Sequence, residues 1–541
     1  MWKLPEMDYF VGSTRGTGDF GPPEAPIRAE LFSRDRLEQH ALSLARAQQV
    51  AVRAPRTRSL TSRAADNERV LRKCYDATAQ ATLQRRSITP AAEWLLDNFR
   101  TVSDQFREVR HGLNTKSFRS LPRLLDGPLR GYPRIYGVLW AFVAHTDSRF
   151  DPALLSCFLL AYQRVEPLTM AELWAMPLTL RAVMIENLRR LCAHVTQAQV
   201  NRQAADRYAD DLLSRNTSAL PAASDAPKAR AGVVGPFEPA FTVQLIQRLR
   251  YQDRSLQWLS DQLAQQGQSA DDVVQAEHAS QAAANMTVRN VITSLRDMRA
   301  FDWQPLFEEV SLVDAHLRRN PGYADMDFAT RDGYRHEIEK LAARSRLSEL
   351  AVTQALNLKT AAAATGMANS VDAEDMPRRM DPGYYLLSAG RRDFEREIAY
   401  RVPLTRHWRL HDALHCAAAY ILSVCLLSGL IVAVPVWLSA AAGVSIAGLV
   451  LLAACGLFPA SELAVLLVDR ALTRLIPPRH LPRLELAGGI SRDLRTFVVV
   501  PMMLTNEADI AAQVAQLEVH YLANPKGDVR FALLSDWRDA D

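Results

Sequence analysis

The chain has 541 residues, room for roughly three or four domains at about 150 residues each. Its 48% hydrophobic and 23% charged residues exclude a mostly disordered or collagen-like protein, and a mean hydropathy of −0.11 excludes a chain that is mainly membrane. Net charge is only +4, from 64 basic and 60 acidic residues, too small an excess for a nucleic-acid footprint, so no nucleic-acid partner is expected.

The six cysteines are Cys74, Cys157, Cys192, Cys416, Cys425 and Cys455. None forms a CxxC pair, and three fall in an apolar stretch. That pattern fits neither a disulfide framework nor a zinc site. Reduced thiols in a cytosolic and membrane setting are the simplest reading.

Residues 1–27 are rich in Gly, Pro and Thr, with no apolar signal-peptide core, and read as irregular. Residues 28–215 read as a first helical lobe. Leu31, Leu37, Ala41, Leu44 and Ala45 recur mostly at helical spacing, with Ser33 placed to cap. Thr89-Pro90 opens a further helix with Trp94, Leu95, Phe99, Val102 and Phe106 on one face. More helices are predicted at 135–145, 152–163 and 170–194. Residues 216–239 are dominated by Pro, Ala and Ser and read as a linker. A second helical lobe follows over 240–400, loosening over 361–382. No strand signal stands out before residue 496.

Residues 413–461 hold no Asp, Glu, Lys or Arg. About 20 apolar residues make one span, so this is room for a hairpin over 413–468. The spans are predicted at 416–438 and 444–467, with a turn at 439–443. Arg401, Arg406 and Arg409 precede the hairpin, and Arg470, Arg474, Arg479 and Arg483 follow it. The positive-inside rule then puts residues 1–412 and 469–541 in the cytoplasm. Trp408 and Trp437 suit the interfaces. Glu462 is an intramembrane acid by position, read here as a hydrated span end or a partner of Arg470.

After the hairpin the period changes. Residues 496–501 read as a buried strand, 507–522 as a helix and 529–534 as a second strand, which is a βαβ unit with parallel strands. Ligands of open α/β sheets bind outside the carboxyl ends of strands. The loops there, 501–507 and 535–537, supply Glu507 and Asp536 as candidate nucleotide ligands. Asp536 can accept hydrogen bonds from a ribose or a uracil. Glu507 can do the same, or sit in the first helical turn where the macrodipole favours an acid.

Three other constellations are weaker. His407, His411 and His415 share a helix face, but a polar stripe at the headgroups explains them better than a metal. The 145–149 run, His-Thr-Asp-Ser-Arg, spells a triad only in sequence, whereas triads assemble in space. Helix capping accounts better for Asp147 or Asp151. Trp140, Phe142, Phe150, Phe158, Tyr162 and Trp174 read as core.

The terminal run FVVVPMMLTNEADI…LEVHYLANPKGDVRFALLSDWRDAD resembles the start of the glycosyltransferase domain of cyclic β-1,2-glucan synthases. Upstream, PIRAELFSRDRLEQHALSLA (26–45), ITPAAEWLLDNF (88–99), GYPRIYGVLWAFVAHTDSRFD (131–151), YQRVEPLTMAELWA (162–175), TVRNVITSLRDMRAFDW (287–303) and PGYYLLSAGRRDFEREIAYRVPL (382–404) resemble the same proteins, in the same order. The resemblance implies a bacterial inner-membrane enzyme that polymerises glucose from UDP-glucose into β-1,2-glucan. It implies a fold with a mainly α cytosolic region, a two-helix transmembrane hairpin and the first βαβ unit of an incomplete, GT-A-like α/β transferase domain over 496–541. The partners implied are UDP-glucose, β-1,2-glucan, inner-membrane lipid and the rest of the synthase polypeptide, and the candidates here for the family's donor-binding residues are Thr505, Glu507 and Asp536. A divalent metal, Mg or Mn, and a catalytic base are expected beyond Asp541, so this stretch alone is expected to anchor and position the transferase without turning over. Asp539 and Asp541 spell D-x-D but are not taken as the metal site. Tyr521 is expected on a helix, packed. The alternative is a non-catalytic, membrane-anchored helical scaffold or regulator derived from such a synthase.

Overall fold

The computed structural model describes residues 24–51, 59–214, 238–251, 257, 259–261, 263–264, 267–365, 376–402, 413–475, 481–486, 488–524 and 526–537. The chain forms two compact units, Met1–Ala315 and His316–Asp541.

The first unit is helical. α1 (Arg34–Ala47) buries Leu37, Ala41 and Ala45, one residue per turn on a single face. Ser33 occupies its N-cap position but makes no side-chain cap bond. α2 (Leu60–Leu83) buries Leu71, Cys74, Thr78 and Ala81. α3 (Pro90–Leu113) begins as the sequence dictates, with Pro90 at the first position and the Thr89 hydroxyl accepting from Ala92 N–H at 3.4 Å. Its buried face is Leu95, Val102, Phe106, Val109 and Leu113, each worth about 1.5–3 kcal/mol of transfer when fully buried. α4 (Arg134–His145) and α5 (Pro152–Gln163) follow. A two-residue antiparallel pair, β1 (Val50–Ala51) with β2 (Arg123–Leu124), was not legible in the sequence.

The spine of the unit is α6 (Met170–Ser214), 45 residues long and well past the expected end at 194. Its first half supplies Leu180, Val183, Met184 and Leu188 to the large core, and its second half puts Ala205 and Ala209 into a smaller one. α7 (Pro239–Leu249) closes the smaller core with Phe241, Leu245 and Leu249. α8 (Ala270–Ala300) runs back to the large core with Val288, Val291, Ile292 and Leu295, and α9 (Trp303–Val310) adds Leu306 and Phe307. α6 thus carries both cores within the one unit that ends at Ala315. The linker prediction itself lies almost wholly outside the described residues.

The 145–149 run is a tertiary latch, not a triad. The His145 ring faces the Glu30 carbonyl through Nδ1 at 2.7 Å. Asp147 and Ser148 both hold positive φ, +48° and +59°. Asp151, not Asp147, caps α5, accepting from Ala153 and Leu154 N–H at 3.0 and 3.1 Å. Asp147 instead accepts from the Thr287 hydroxyl at 2.6 Å and the Asn290 amide at 2.9 Å on α8. The local aromatics pack as expected, except that Trp174 is 41% exposed while stacking on Phe307.

The second unit begins with helices α10 (Phe328–Ala342), α11 (Glu349–Thr365), α12 (Pro382–Leu387) and α13 (Arg391–Glu397). Tyr334, Ile338, Leu341, Val352, Leu356, Tyr385, Leu386 and Phe394 are among its buried apolar residues.

The hairpin is α14 (Ala413–Ala441) and α15 (Ile446–Leu475). Spans of 25 and 29 residues, with mean hydropathy 2.5 and 2.1, are long and apolar enough to cross a membrane. Ser428, Ala460 and Ala464 are buried where the two helices pack. Small side chains there let the backbones approach. The turn sits later than predicted, with Gly443 at φ +82°, because α14 continues to Ala441. Glu462 is exposed and lies seven residues before Asp469, roughly 10 Å along the helix. Among the described residues no ion pair joins it to Arg470. The Tyr420 hydroxyl donates to Asp469 at 3.1 Å. Trp408, His407, His411 and the His415 side chain lie outside the described residues.

The chain then forms β3 (Thr496–Leu504), α16 (Glu507–Ala523) and β4 (Val529–Trp537), with β3 and β4 parallel. This is the predicted βαβ unit, with both strands three residues longer than expected. Thr496 pairs with Val529 and Leu504 with Trp537. Two glycines set the entry. Gly489 and Gly527 hold φ +94° and +96°, and a Cβ on Gly527 would lie 2.1 Å from the Ile490 nitrogen. That approach allows Asp528 N–H to reach the Ile490 carbonyl at 2.8 Å.

Candidate functional site

The carboxyl end of the parallel pair gathers the three candidate ligands. Thr505 lies in the turn after β3, and Glu507 opens α16. Asp536 is within β4, not in a loop after it, and its pairing partner is Met503. The expected loop at 501–507 shrinks to Thr505 and Asn506, because 501–504 stay in the strand. All three candidates are exposed. They share one end of the sheet, but among the described residues no hydrogen bond or ion pair joins them.

Each has its own local role. The Thr505 hydroxyl donates to Asp509 Oδ2 at 2.8 Å. Asp536 Oδ1 accepts from Trp537 N–H at 2.8 Å, which leaves its other oxygen available at the sheet's end. Glu507 sits in the first turn of α16, where the helix macrodipole favours a carboxylate.

Sequence reading missed Asn506 and Asp509. Asn506 is the cap of α16: its Oδ1 accepts from Asp509 N–H at 2.8 Å, and its Nδ2 donates to Asp509 Oδ2 at 2.7 Å. Asp509 thus gathers both Thr505 and Asn506 and fixes the turn. The signal was present as Asn-x-x-Asp, a variant of the capping box. Tyr521 is corrected: it lies on α16 as expected but is 61% exposed, touching Phe531 edge-on at 6.3 Å between ring centres.

The sheet's own apolar side chains are mostly open. Phe497, Val499, Met503, Leu534 and Trp537 are exposed, and α16 buries no residue. Among the described residues no three His, Cys, Asp or Glu side chains come together to hold a metal ion. The described residues thus do not by themselves fit the divalent cation that the resemblance implies. Asp539 and Asp541 lie outside the described residues.

Comparison with known proteins gives the chain a relationship. No family model matches it. It is 34% identical over 528 residues to the cyclic beta-(1,2)-glucan synthase NdvB of Rhizobium meliloti (strain 1021). The match covers 95% of this chain and 18% of that protein, so the chain spans less than a fifth of its relative's length. The aligned length runs through the helical units, the apolar hairpin and the βαβ unit without selecting one of them. The chain is a relative of the cyclic β-(1,2)-glucan synthases.

Proposed function

We propose that this chain is the amino-terminal portion of a membrane-bound glucosyltransferase that builds cyclic β-1,2-glucan from UDP-glucose, and that its helices anchor and position the transferase domain whose first βαβ unit is 496–541. The observation that carries this reading is identity at 34% along 95% of the chain to a cyclic glucan synthase. The fold supports it in kind: a parallel βαβ unit follows directly on two apolar helices of spanning length.

In this reading Asp536 contacts the uridine of the donor, with Glu507 and Thr505 beside it at the carboxyl ends of the strands. Asp509 is a positioning residue that holds Thr505 and the start of α16. A divalent cation, Mg or Mn, would be held by residues outside those described, as would the base that activates the acceptor hydroxyl. The arginines flanking the hairpin support a cytoplasmic placement of both its ends in the bacterial inner membrane.

The test uses membranes carrying the full natural polypeptide, radiolabelled UDP-glucose and linkage analysis of the product. Transfer into 1,2-linked glucan is expected. Asp536→Asn is expected to raise the donor KM, while Asp509→Asn lowers the stability of α16. Transfer from a different sugar nucleotide, or a different linkage, would refute the substrate assignment. Unchanged donor KM in Asp536→Asn would refute the site.

A further inference from the structure

The segment between α15 and the sheet does not run free. Asp327 N–H donates to the Arg483 carbonyl at 2.8 Å, and Glu485 N–H donates to the Asp325 carbonyl at 2.7 Å. Met326 and Leu484 are antiparallel bridge partners. Arg483 N–H adds a bond to the Thr330 hydroxyl oxygen at 3.0 Å, across 153 residues of chain. The 481–486 strap is therefore laid along the 325–330 turn as an added strand, held mainly by backbone groups.

The same turn starts α10. The Asp327 carboxylate caps the helix, accepting from Thr330 N–H at 2.8 Å. Arg331, 7% exposed, donates to the carbonyls of Ala324 and Met326. Its guanidinium also lies 3.8 Å from the Glu485 carboxylate on the strap. Strap docking and the start of α10 thus use the same residues. If one is displaced, the other loses partners.

Chain length makes this geometry consequential. Four residues lead from Leu486 to Ile490, where the sheet's pairing begins, a reach of at most about 14 Å. Six residues lead from Leu475 to Leu481, at most about 21 Å. The clasp therefore bounds how far the sheet can lie from the end of α15.

We propose that the 325–331 turn and the 481–486 strap form a positioning clasp, through which α10, and not the hairpin alone, fixes where the βαβ unit presents its carboxyl end. The functional half of this inference rests on the transferase reading above. The clasp itself does not. Arg331, Thr330 and Glu485 are its positioning residues.

The test uses the full natural polypeptide in its membrane. In Met326→Cys/Leu484→Cys, mild oxidation is expected to join the two peptides as a disulfide, read by mass spectrometry. Glu485→Pro removes the N–H that the clasp uses, and Arg331→Gln removes the charge that reaches the strap. Each is expected to cut glucosyl transfer about ten-fold or more, since small misplacements of a reacting site are costly. Oxidising the cysteine pair in the Arg331→Gln background is expected to restore transfer, which a merely unfolded variant would not allow. Deuterium uptake over 490–504 is expected to rise in Glu485→Pro. No disulfide at 326/484 would overturn the clasp. A disulfide with full transfer in both variants, or unchanged uptake over 490–504, would overturn its positioning role. If wild-type membranes move no glucose from UDP-glucose, the transferase reading fails alone, and the disulfide and the deuterium uptake still decide the clasp.

Discussion

Glu186 on α6 is a buried carboxylate ringed by three arginines, and removing its charge tests how the first unit is held. The side chain is 1% exposed. Its carboxylate accepts from Arg63 Nε at 2.9 Å and Nη2 at 2.5 Å, from Asn67 at 2.8 Å, from Arg190 Nε at 2.7 Å and from Arg189 at 3.2 Å. The three guanidiniums are 17%, 7% and 5% exposed. Their other shared acid is Glu24, which is 32% exposed. Glu186→Gln keeps the shape and leaves three buried cations to one half-open carboxylate. Breaking a buried, hydrogen-bonded pair costs about 3–5 kcal/mol. Glu24→Gln removes a partner near solvent and is expected to cost about 1 kcal/mol or less. Urea unfolding of the full chain in detergent, read by hydrogen exchange in peptides of α2 and α6, measures both. The arginines also hold the Glu186 carboxyl below its ordinary value of 4.5 against the upward push of burial. A depressed acid contributes stability that is complete above its unfolded pKa and is lost as pH falls through the folded one. The gap between wild type and Glu186→Gln should therefore be constant above about pH 4.5 and close below it. A loss in Glu186→Gln no larger than in Glu24→Gln would refute the argument, because it would mean that water or rearrangement screens the cluster.

The remaining predictions concern other parts of the chain. Burial and the neighbouring His145 push His40 down from 6.5 to about 4, so its neutral form contributes stability that is full above pH 6.5 and lost as pH falls toward 4. His40→Gln should flatten the stability of the first unit across that window, as read by thermal melts against pH. Asp147→Ala removes the charged acceptor shared by Thr287 and Asn290, which keep only the Ala283 and Asp147 backbone carbonyls, and should cost about 1.5–3 kcal/mol, whereas Asp151→Ala removes a half-buried cap worth about 1 kcal/mol; urea midpoints rank the two. Gly527→Ala places a Cβ 2.1 Å from the Ile490 nitrogen at φ +96°. Hydrogen exchange should show the Asp528 amide losing protection, with the strands beyond it less affected.

Local signals carried much of the fold. Thr89-Pro90 and Asp151-Pro152 each set a helix start correctly, because an N-cap oxygen followed by proline satisfies the first turn with no tertiary help. The hairpin was legible because its composition has few alternatives. What local pattern could not show was where packing carries a helix onward. The helix predicted over 170–194 continues to Ser214 as α6, where Ala205 and Ala209 meet Phe241, Leu245 and Val273 from segments far along the chain. The same reason explains Asp147. Its neighbours in sequence invite a capping reading, while its true partners sit 140 and 143 residues away.

The candidate site divides in the same way. Which residue types gather at the sheet's carboxyl end followed from the βαβ pattern, since a parallel pair leaves one end for ligands. Their roles did not follow. Thr505 entered as a candidate through the resemblance alone, and its hydroxyl is engaged by Asp509. The strap at 481–486 shows the limit most clearly. It is held mainly through backbone groups, so no side-chain pattern marks it, and its partners at 325–330 lie on the far side of the hairpin in sequence. Yet it makes the order of elements intelligible: a helical lobe before the hairpin reaches across to hold the chain after it. The helices then do more than precede the sheet. The 325–330 turn is bonded to the 481–486 strap, and a chain with the same hairpin and βαβ unit but without the α10 turn should lose that contact while keeping both elements folded.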